Sequence, residues 1–175
     1  MIPKAGIHFV NAVPDTVRMD FRVVDIVSNA SLFGAAFRGA NMFYTGIEAG
    51  THRIRVFYDT TDVVIAQTVF SDTQQTFAQS QDYTFVEAGF ARTGSVPSRA
   101  VWIIGDNAGD PGAGNIGVRV VHAGAGLANV DVYLIRHPGD TLALAGPIGS
   151  NLAYGSVGGY VTAAADTGSL ALRVV

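Results

Sequence analysis

The sequence predicts an all-β protein built from two tandem β-sandwich domains, immunoglobulin-like or transthyretin-like, the second of them incomplete. Short segments rich in β-branched and aromatic residues alternate with turn signals along the whole chain. One pattern also occurs twice without a gap, since residues 7–24 (IHFVNAVPDTVRMDFRVV) align with residues 118–135 (VRVVHAGAGLANVDVYLI) at an offset of 111. Short strands at this spacing are typical of sandwiches and barrels.

Alternation of inward and outward side chains justifies the individual strands. In the first strand, Ile7, Phe9 and Asn11 share one face, and in the second copy Val130, Val132 and Leu134 do the same. The further strands of the first copy are predicted at residues 51–58, 62–70, 82–90 and 99–106.

A second stretch of similarity supports duplication of a domain. Residues 35–57 correspond to residues 152–175, and a segment rich in Gly, Asp and Asn without hydrophobic periodicity separates the two copies. The predicted organisation is therefore a first copy at residues 5–106, a linker at 107–115 and a partial second copy at 116–175.

The second copy has no counterpart of the last three strands predicted for the first copy. A half-sandwich of about five strands exposes a hydrophobic face and an unpaired edge. Three explanations stay open: the sequence is a fragment of a longer product, a partner supplies strands by addition at the open edge of the second copy, or the second copy packs its open face on the first.

Composition excludes several classes of function. The net charge is −3 and the 11 Lys and Arg residues are scattered, so no nucleic-acid partner is expected. The absence of cysteine excludes disulfides, thiolate metal sites and a cysteine nucleophile. No cofactor is expected. No apolar run reaches the ~18–20 residues of a transmembrane helix, and no signal peptide is visible at the start of the chain.

Each copy resembles an exported bacterial β-sandwich family known as a domain of unknown function. The second copy carries VVHAGAGLANVDVYL (120–134) and SNLAYGSVGGYVTA (150–163), and the first carries FVNAVPDTVRMDFRV (9–23). The resemblance implies a sandwich fold, tandem copies and a location outside the cytoplasm at the cell envelope, with no established catalytic residues. The first copy departs from the pattern in having Asn11 where the second has His122.

Asn11 and His122 are predicted to point inward at the end of a strand, followed by Asp20 and Asp131 at matching positions. A histidine oriented by an acid is one part of a hydrolase triad. No serine, however, lies in the kind of strained turn that presents a nucleophile, and Asn11 cannot act as a base. We therefore favour a structural role, in which Asn11 and His122 each fix the turn from one strand into the following loop, hereafter the corner of that unit. We expect a hydrogen bond from His122 to Asp131 or to the backbone of residues 124–129.

A glycine-bearing apolar segment supplies the candidate interaction surface, which consists of Phe33, Phe37, Met42, Phe43 and Tyr44. Within it, alignment of Phe37 and Phe43 with Tyr154 and Tyr160 favours a core position for all four of these residues. Phe33 and Tyr44 have no aromatic counterpart and are the better surface candidates.

These features favour a protein that is not an enzyme. The leading hypothesis is an extracytoplasmic interaction or scaffold module, an extrinsic subunit that docks on a larger membrane or envelope complex through protein partners. The alternative is a carbohydrate- or surface-binding adhesin that uses Tyr44 or Trp102. A hydrolase is the least favoured hypothesis.

Overall fold

The computed structural model of the chain describes residues 2–26, 31–137, 139–165 and 171–174, and it divides into two compact units, Met1–Asn107 and Ala108–Val175. Nearly all of the regular structure is β-strand, which confirms the all-β prediction. No helix in these ranges is long and apolar enough to cross a membrane.

Unit 1 is a sandwich of two four-stranded sheets. Its strands are β1 (Lys4–Asn11), β2 (Met19–Val23), β3 (Phe33–Ala35), β4 (Thr45–Glu48), β5 (Gly50–Tyr58), β6 (Val69–Phe77), β7 (Asp82–Ala88) and β8 (Ala100–Gly105). One sheet has the order β4-β1-β7-β8 and the other β3-β2-β5-β6. All neighbours are antiparallel except β1 and β7, which run parallel.

The core of unit 1 lies between the two sheets and is dominated by phenylalanine. Phe9 and Phe21 face each other from opposite sheets with ring centroids 5.0 Å apart, and Phe85 packs edge-on against Phe21 at 5.3 Å. All three are fully buried. Because each such side chain contributes about 1.5–3 kcal/mol on burial, this cluster accounts for much of the stability of unit 1.

The strand predicted at residues 62–70 is wrong. The Asp62 carboxylate accepts hydrogen bonds from the backbone N–H groups of Val64 (2.9 Å) and Ile65 (3.2 Å), and a 3₁₀ turn at Ile65–Gln67 follows. This local hydrogen bonding competes with the ladder of a sheet. The strand β6 instead begins at Val69.

Unit 2 contains five strands in its described part: β9 (Asn115–Val118), β10 (Val130–Ile135), β11 (Pro147–Leu152), β12 (Val161–Ala164) and β13 (Ala171–Val174). A one-turn helix, α1 (Leu142–Ala145), precedes β11. The strands form one sheet of order β11-β10-β13 and one pair, β12-β9.

The strand pairs of unit 2 match those of the first five strands of unit 1. The pair β9–β12 matches β1–β4, and the order β11-β10-β13 matches β3-β2-β5, all of them antiparallel. No strand in the described part of unit 2 matches β6, β7 or β8. The tandem relationship and the predicted domain limits remain predictions, and these matching pairs are what a duplication would produce.

Candidate functional site

Asn11 ends β1 as a fully buried polar residue, and each of its polar atoms has a hydrogen-bond partner. Its side-chain oxygen accepts from Val13 N and its side-chain nitrogen donates to Ala35 O, both at 3.0 Å. Its backbone carbonyl accepts from Arg38 N (2.8 Å), and its own N–H donates to Gly39 O (2.9 Å). Asn11 therefore joins the end of β1 to β3 and to the segment that follows β3.

His122 occupies the equivalent place in unit 2. Its Nδ1 accepts from Gly124 N at 3.3 Å, and its Nε2 donates to Ala128 O at 3.1 Å. Its backbone carbonyl accepts from Gly155 N (2.9 Å), and its N–H donates to Ser156 O (3.0 Å). Of the two partners considered from the sequence, the loop backbone is therefore the one that His122 binds.

The two corners have the same design. In both, the inward side chain accepts a hydrogen bond from the N–H two residues ahead. The backbone of the corner residue binds a pair of residues that follows β3 in unit 1 and β11 in unit 2, and these pairs are 117 residues apart in sequence. Both ring nitrogens of His122 have backbone partners in the loop that follows, which is the arrangement expected of a structural corner.

Asp20 and Asp131 lie on the strands that follow the corners, and each has its own partners. Asp20 accepts from Arg22 Nε at 2.7 Å and from the Ser31 hydroxyl. Asp131 accepts from Asn151 N at 2.7 Å. Neither carboxylate has a recorded hydrogen bond to the corner residue of its own unit, so the structure does not bring the four predicted residues together as two acid–base pairs.

Four members of the candidate interaction surface are exposed: Phe37, Met42, Phe43 and Tyr44, hereafter the 37–44 surface. The exposed fractions of Met42 and Phe43 are 84% and 75%. The core interpretation of Phe37 and Phe43 is therefore wrong. It fails because both residues follow the end of β3 and precede β4, where no strand alternation assigns a side chain to the inside.

Two further assignments of aromatic residues are wrong. Tyr160 precedes β12 and is exposed rather than part of a core. Phe33 is not a surface residue, because it pairs with Phe21 in the β2–β3 ladder and stacks on its ring at 5.2 Å on the core side of the sheet. Tyr154 is half-buried beside His122, with ring centroids 6.3 Å apart.

Asn41 fixes the backbone beneath the most exposed part of the 37–44 surface. Its side-chain oxygen accepts from Phe9 N, and its side-chain nitrogen donates to the carbonyl of Phe43. Its backbone N–H donates to Phe9 O at 3.3 Å, and its carbonyl accepts from His8 Nε2. Three of these hydrogen bonds join Asn41 to β1, and the fourth joins Asn41 to Phe43, so that together they hold the Met42–Phe43 segment beside β1.

Tyr44 is fixed by a hydrogen bond of its hydroxyl group. Its hydroxyl donates to the Asp106 carboxylate at 2.7 Å, and the same carboxylate accepts from the Thr84 hydroxyl. The Tyr44 ring also lies against His8, with centroids 5.5 Å apart. The surface is thus apolar and fixed by polar contacts on the side facing the sandwich.

Glu87 is a buried polar residue that the sequence reasoning did not single out. It lies on β7 in register with Asn11 and is fully buried, and neither of its carboxyl oxygens makes a hydrogen bond of normal geometry to a described residue. Burial raises the pKa of Glu87 to about 7, although the Ser71 side chain and the positive charge of Arg99 act in the opposite direction. Its alternation with Tyr83 and Phe85 is the sequence signal that marks it as inward-facing.

The described residues contain no group of three or more His, Cys, Asp or Glu side chains arranged to hold a metal ion. Each polar side-chain atom of Asn11 and His122 has a protein hydrogen-bond partner.

Comparison with protein families assigns the chain. A family model described as a domain of unknown function, DUF4397, matches residues 5–133, which is about three quarters of the sequence and runs from β1 of unit 1 into β10 of unit 2. The protein belongs to this family, which confirms the predicted resemblance to a domain of unknown function. No curated protein sequence matches the chain.

Proposed function

We propose that this protein is a non-catalytic docking module that acts outside the cytoplasm and binds a protein partner within a larger membrane or envelope assembly. The observation that carries the proposal is the 37–44 surface, where Met42 and Phe43 are exposed on a backbone held by four hydrogen bonds of Asn41.

The combination of exposure and order favours binding. Exposed apolar side chains are costly in water, and adjacent ones are typical of contact surfaces. A backbone that is already ordered loses little conformational entropy on association, so more of the contact energy remains available for affinity. Aromatic side chains such as Phe43 and Tyr44 are frequent among residues that dominate binding energy.

The scarcity of charged residues on the 37–44 surface favours an apolar face on the partner. Arg38 is the single charged residue between Ala36 and Tyr44, and its guanidinium lies over the ring of Phe37 at 5.4 Å. The partner is therefore recognised mainly by apolar contact, with Arg38 available at the margin. The extracytoplasmic location is supported by the resemblance to an exported family.

A site-specific cross-link tests this proposal. A photo-reactive phenylalanine analogue placed at Phe43 is expected to cross-link one protein species in the membrane fraction of the source cells, and Met42→Asp is expected to reduce that product at least tenfold. The same analogue at Val64, which is equally exposed on another loop, serves as the matched control. Equal products from both positions, or none from Phe43, would contradict the proposal.

A carbohydrate-binding module is the second candidate, because Tyr44 presents a half-exposed ring beside Phe43. Trp102 supports it less, since its side chain is half-buried on β8. Glycan-array binding that Tyr44→Ala abolishes and that leaves the Phe43 cross-link unchanged would favour this candidate over protein docking.

A further inference from the structure

Strands β2 and β5 of unit 1 carry two arginines at directly opposite positions. Arg22 and Arg55 are register partners in this antiparallel pair, so their side chains share one face of the sheet. That face is the outer one, because the adjacent residues Phe21 and Val56 point into the core between the sheets. Like charges directly opposite each other destabilise a sheet, so this pair depends on negative charge nearby.

Two carboxylates supply part of that negative charge. Asp20 accepts from Arg22 Nε at 2.7 Å, and Asp72 accepts from Arg55 Nε at 3.0 Å. Asp72 is shared, however, because it also accepts from Nε and Nη2 of Arg53, both at 2.7 Å. Three guanidinium groups thus pair with two carboxylates, which leaves this ion-pair group with one net positive charge.

Arg55 presents further hydrogen-bond donors on the outer face. Its Nε binds Asp72, and among the described residues no hydrogen bond is recorded for its two Nη groups. The side chain is 32% exposed. The planar fork of N–H groups on a guanidinium matches the two oxygens of a carboxylate, so Arg55 is suited to bind one.

The segment between β5 and β6 forms one wall of a cavity beside the two arginines. The cavity has a volume of about 570 Å³, within the range of about 300–1,000 Å³ that is usual for binding pockets. Besides the two arginines, the described residues that line it are Phe57, Val63, Ala66, Gln67 and Val69. No acidic residue is among these lining residues, and all of them belong to unit 1.

The cavity combines cationic and apolar groups. The guanidinium carbon of Arg22 lies 4.5 Å from the centroid of the Phe57 ring, which orders that side chain by a cation–π contact. Val63 and Val69 supply apolar surface and are 71% and 37% exposed. A β-bulge in the β5–β6 ladder places Val69 opposite Phe57, and bulges are frequent beside functional sites because they re-aim a side chain.

We propose that this cavity binds a small organic monoanion, a carboxylate attached to a short apolar body. The carboxylate accepts hydrogen bonds from the Nη groups of Arg55 and lies beside Arg22, where its single charge offsets the net positive charge of the ion-pair group. The apolar body lies against Val63 and Val69 and removes their side chains from water. No residue of the 37–44 surface lines the cavity, so the proposal does not depend on the docking function.

A matched pair of small molecules tests the requirement for charge. Phenylacetate is expected to bind the full chain saturably, and phenylacetamide, which has the same ring without the charge, is expected to bind at least tenfold more weakly. Inorganic phosphate has no apolar body and is also expected to bind at least tenfold more weakly than phenylacetate. Titration followed by NMR measures all three, and phenylacetate is expected to shift the amide signals of Arg55, Gln67 and Val69.

Two arginine variants locate the anion. Arg55→Gln is expected to weaken the binding of phenylacetate at least tenfold. Arg53→Gln removes the same charge from the same strand and from the same partner, Asp72, but Arg53 does not line the cavity. The Arg53→Gln variant is therefore the matched control and is expected to change the dissociation constant by less than threefold.

Two valine variants locate the apolar body and do not disturb the ion pairs. Val63→Asp places a negative charge on the wall of the cavity and is expected to weaken the binding of phenylacetate at least tenfold. Val64 is similarly exposed but does not line the cavity, so Val64→Asp is expected to change the binding by less than threefold. Because both positions are exposed, this pair keeps the proposal testable if Arg55→Gln fails to fold.

Several results would overturn the proposal. Absence of saturable binding of phenylacetate, or equal binding of phenylacetamide, would show that the arginines do not select a carboxylate. Equal binding of phosphate would show a site for bare anions. An equal loss in Arg55→Gln and Arg53→Gln, or in Val63→Asp and Val64→Asp, would show that the ligand responds to the overall surface charge and does not occupy this cavity.

Discussion

At the scale of single residues, the buried carboxyl group of Glu87 has the largest expected effect on the stability of unit 1. A carboxylate buried without hydrogen-bond partners is strongly disfavoured relative to water, so the folded protein retains the proton. The pKa of Glu87 is about 7 in the folded state, whereas an ordinary glutamate titrates near 4.5. Stability consequently depends on pH in the range between these two values.

The sign of this dependence follows from proton binding. Between pH 4.5 and 7 the folded state holds the proton and the unfolded state releases it, so the free energy of unfolding falls as pH rises, by roughly 2–4 kcal/mol in total. Glu87→Gln is expected to remove this fall, so that the variant matches the wild type near pH 5 and exceeds it at pH 8. Urea denaturation between pH 5 and 8 measures both, and identical pH profiles of the two proteins would contradict the assignment.

The corner residue of unit 2 supports a second prediction. His122→Leu leaves Gly124 N and Ala128 O without their side-chain partner and is expected to cost about 1–3 kcal/mol. His122→Asn places in unit 2 the residue that Asn11 provides in unit 1 and is expected to cost less. Thermal unfolding compares the two variants, and an equal loss would show that the hydrogen bonds of the corner contribute little.

The alternation of side chains along the strands predicted that some polar residues face the core, but it did not predict which groups they would hydrogen-bond. Asn11 lies in phase with Ile7 and Phe9, which was enough to place it inside. The partner of His122 required the path of the loop, because a carbonyl six residues ahead carries no side-chain signature. Phe37 and Phe43 were misassigned because alignment with another copy does not determine exposure outside a strand.

At the scale of elements, periodicity identified most strands of unit 1, and its failure at residues 62–70 has a local cause. Val63 and Val64 are β-branched and favour a strand by propensity, yet both are exposed in the structure. The side chain of Asp62 satisfies two backbone N–H groups before a ladder can form. The polar stretch 71–77 became β6 because its alternate residues face water on a sheet with only one buried face.

The hydrogen bonds that Asp62 accepts from Val64 and Ile65 predict how removal of its carboxylate changes the stability of unit 1. Asp62→Ala is expected to destabilise unit 1 by about 0.5–2 kcal/mol, the range for loss of a side chain that caps the start of a helical turn. Asp62→Asn keeps an acceptor oxygen and is expected to stay close to the wild type. Chemical denaturation of both variants checks this, and a loss in Asp62→Asn equal to that in Asp62→Ala would assign the effect to charge instead.

At the scale of the whole molecule, the same five-strand framework occurs in two units of different completeness. In unit 1, β6, β7 and β8 close the sandwich and bring Phe77 and Phe85 into its core. The described part of unit 2 has the framework without those strands, and the sequence had predicted about five strands there. What the sequence could not predict is the apolar cavity of about 380 Å³ in unit 2, which is lined by residues 118–124 and by Val130 and Val132 of β10, because a cavity depends on which side chains meet across the two sheets.

Because burial of apolar area is the main source of stability, the two units are expected to differ in local unfolding. Core-facing residues of β1 and β2 are fully buried, whereas Val118, Val120 and Val130 at the matching positions are not. Amide hydrogen exchange is therefore expected to be faster in β9 and β10 than in β1 and β2 by at least tenfold, which corresponds to about 1.4 kcal/mol in opening free energy. Equal exchange rates in the matching strands of the two units would show that the core of unit 2 is as well closed in solution as that of unit 1.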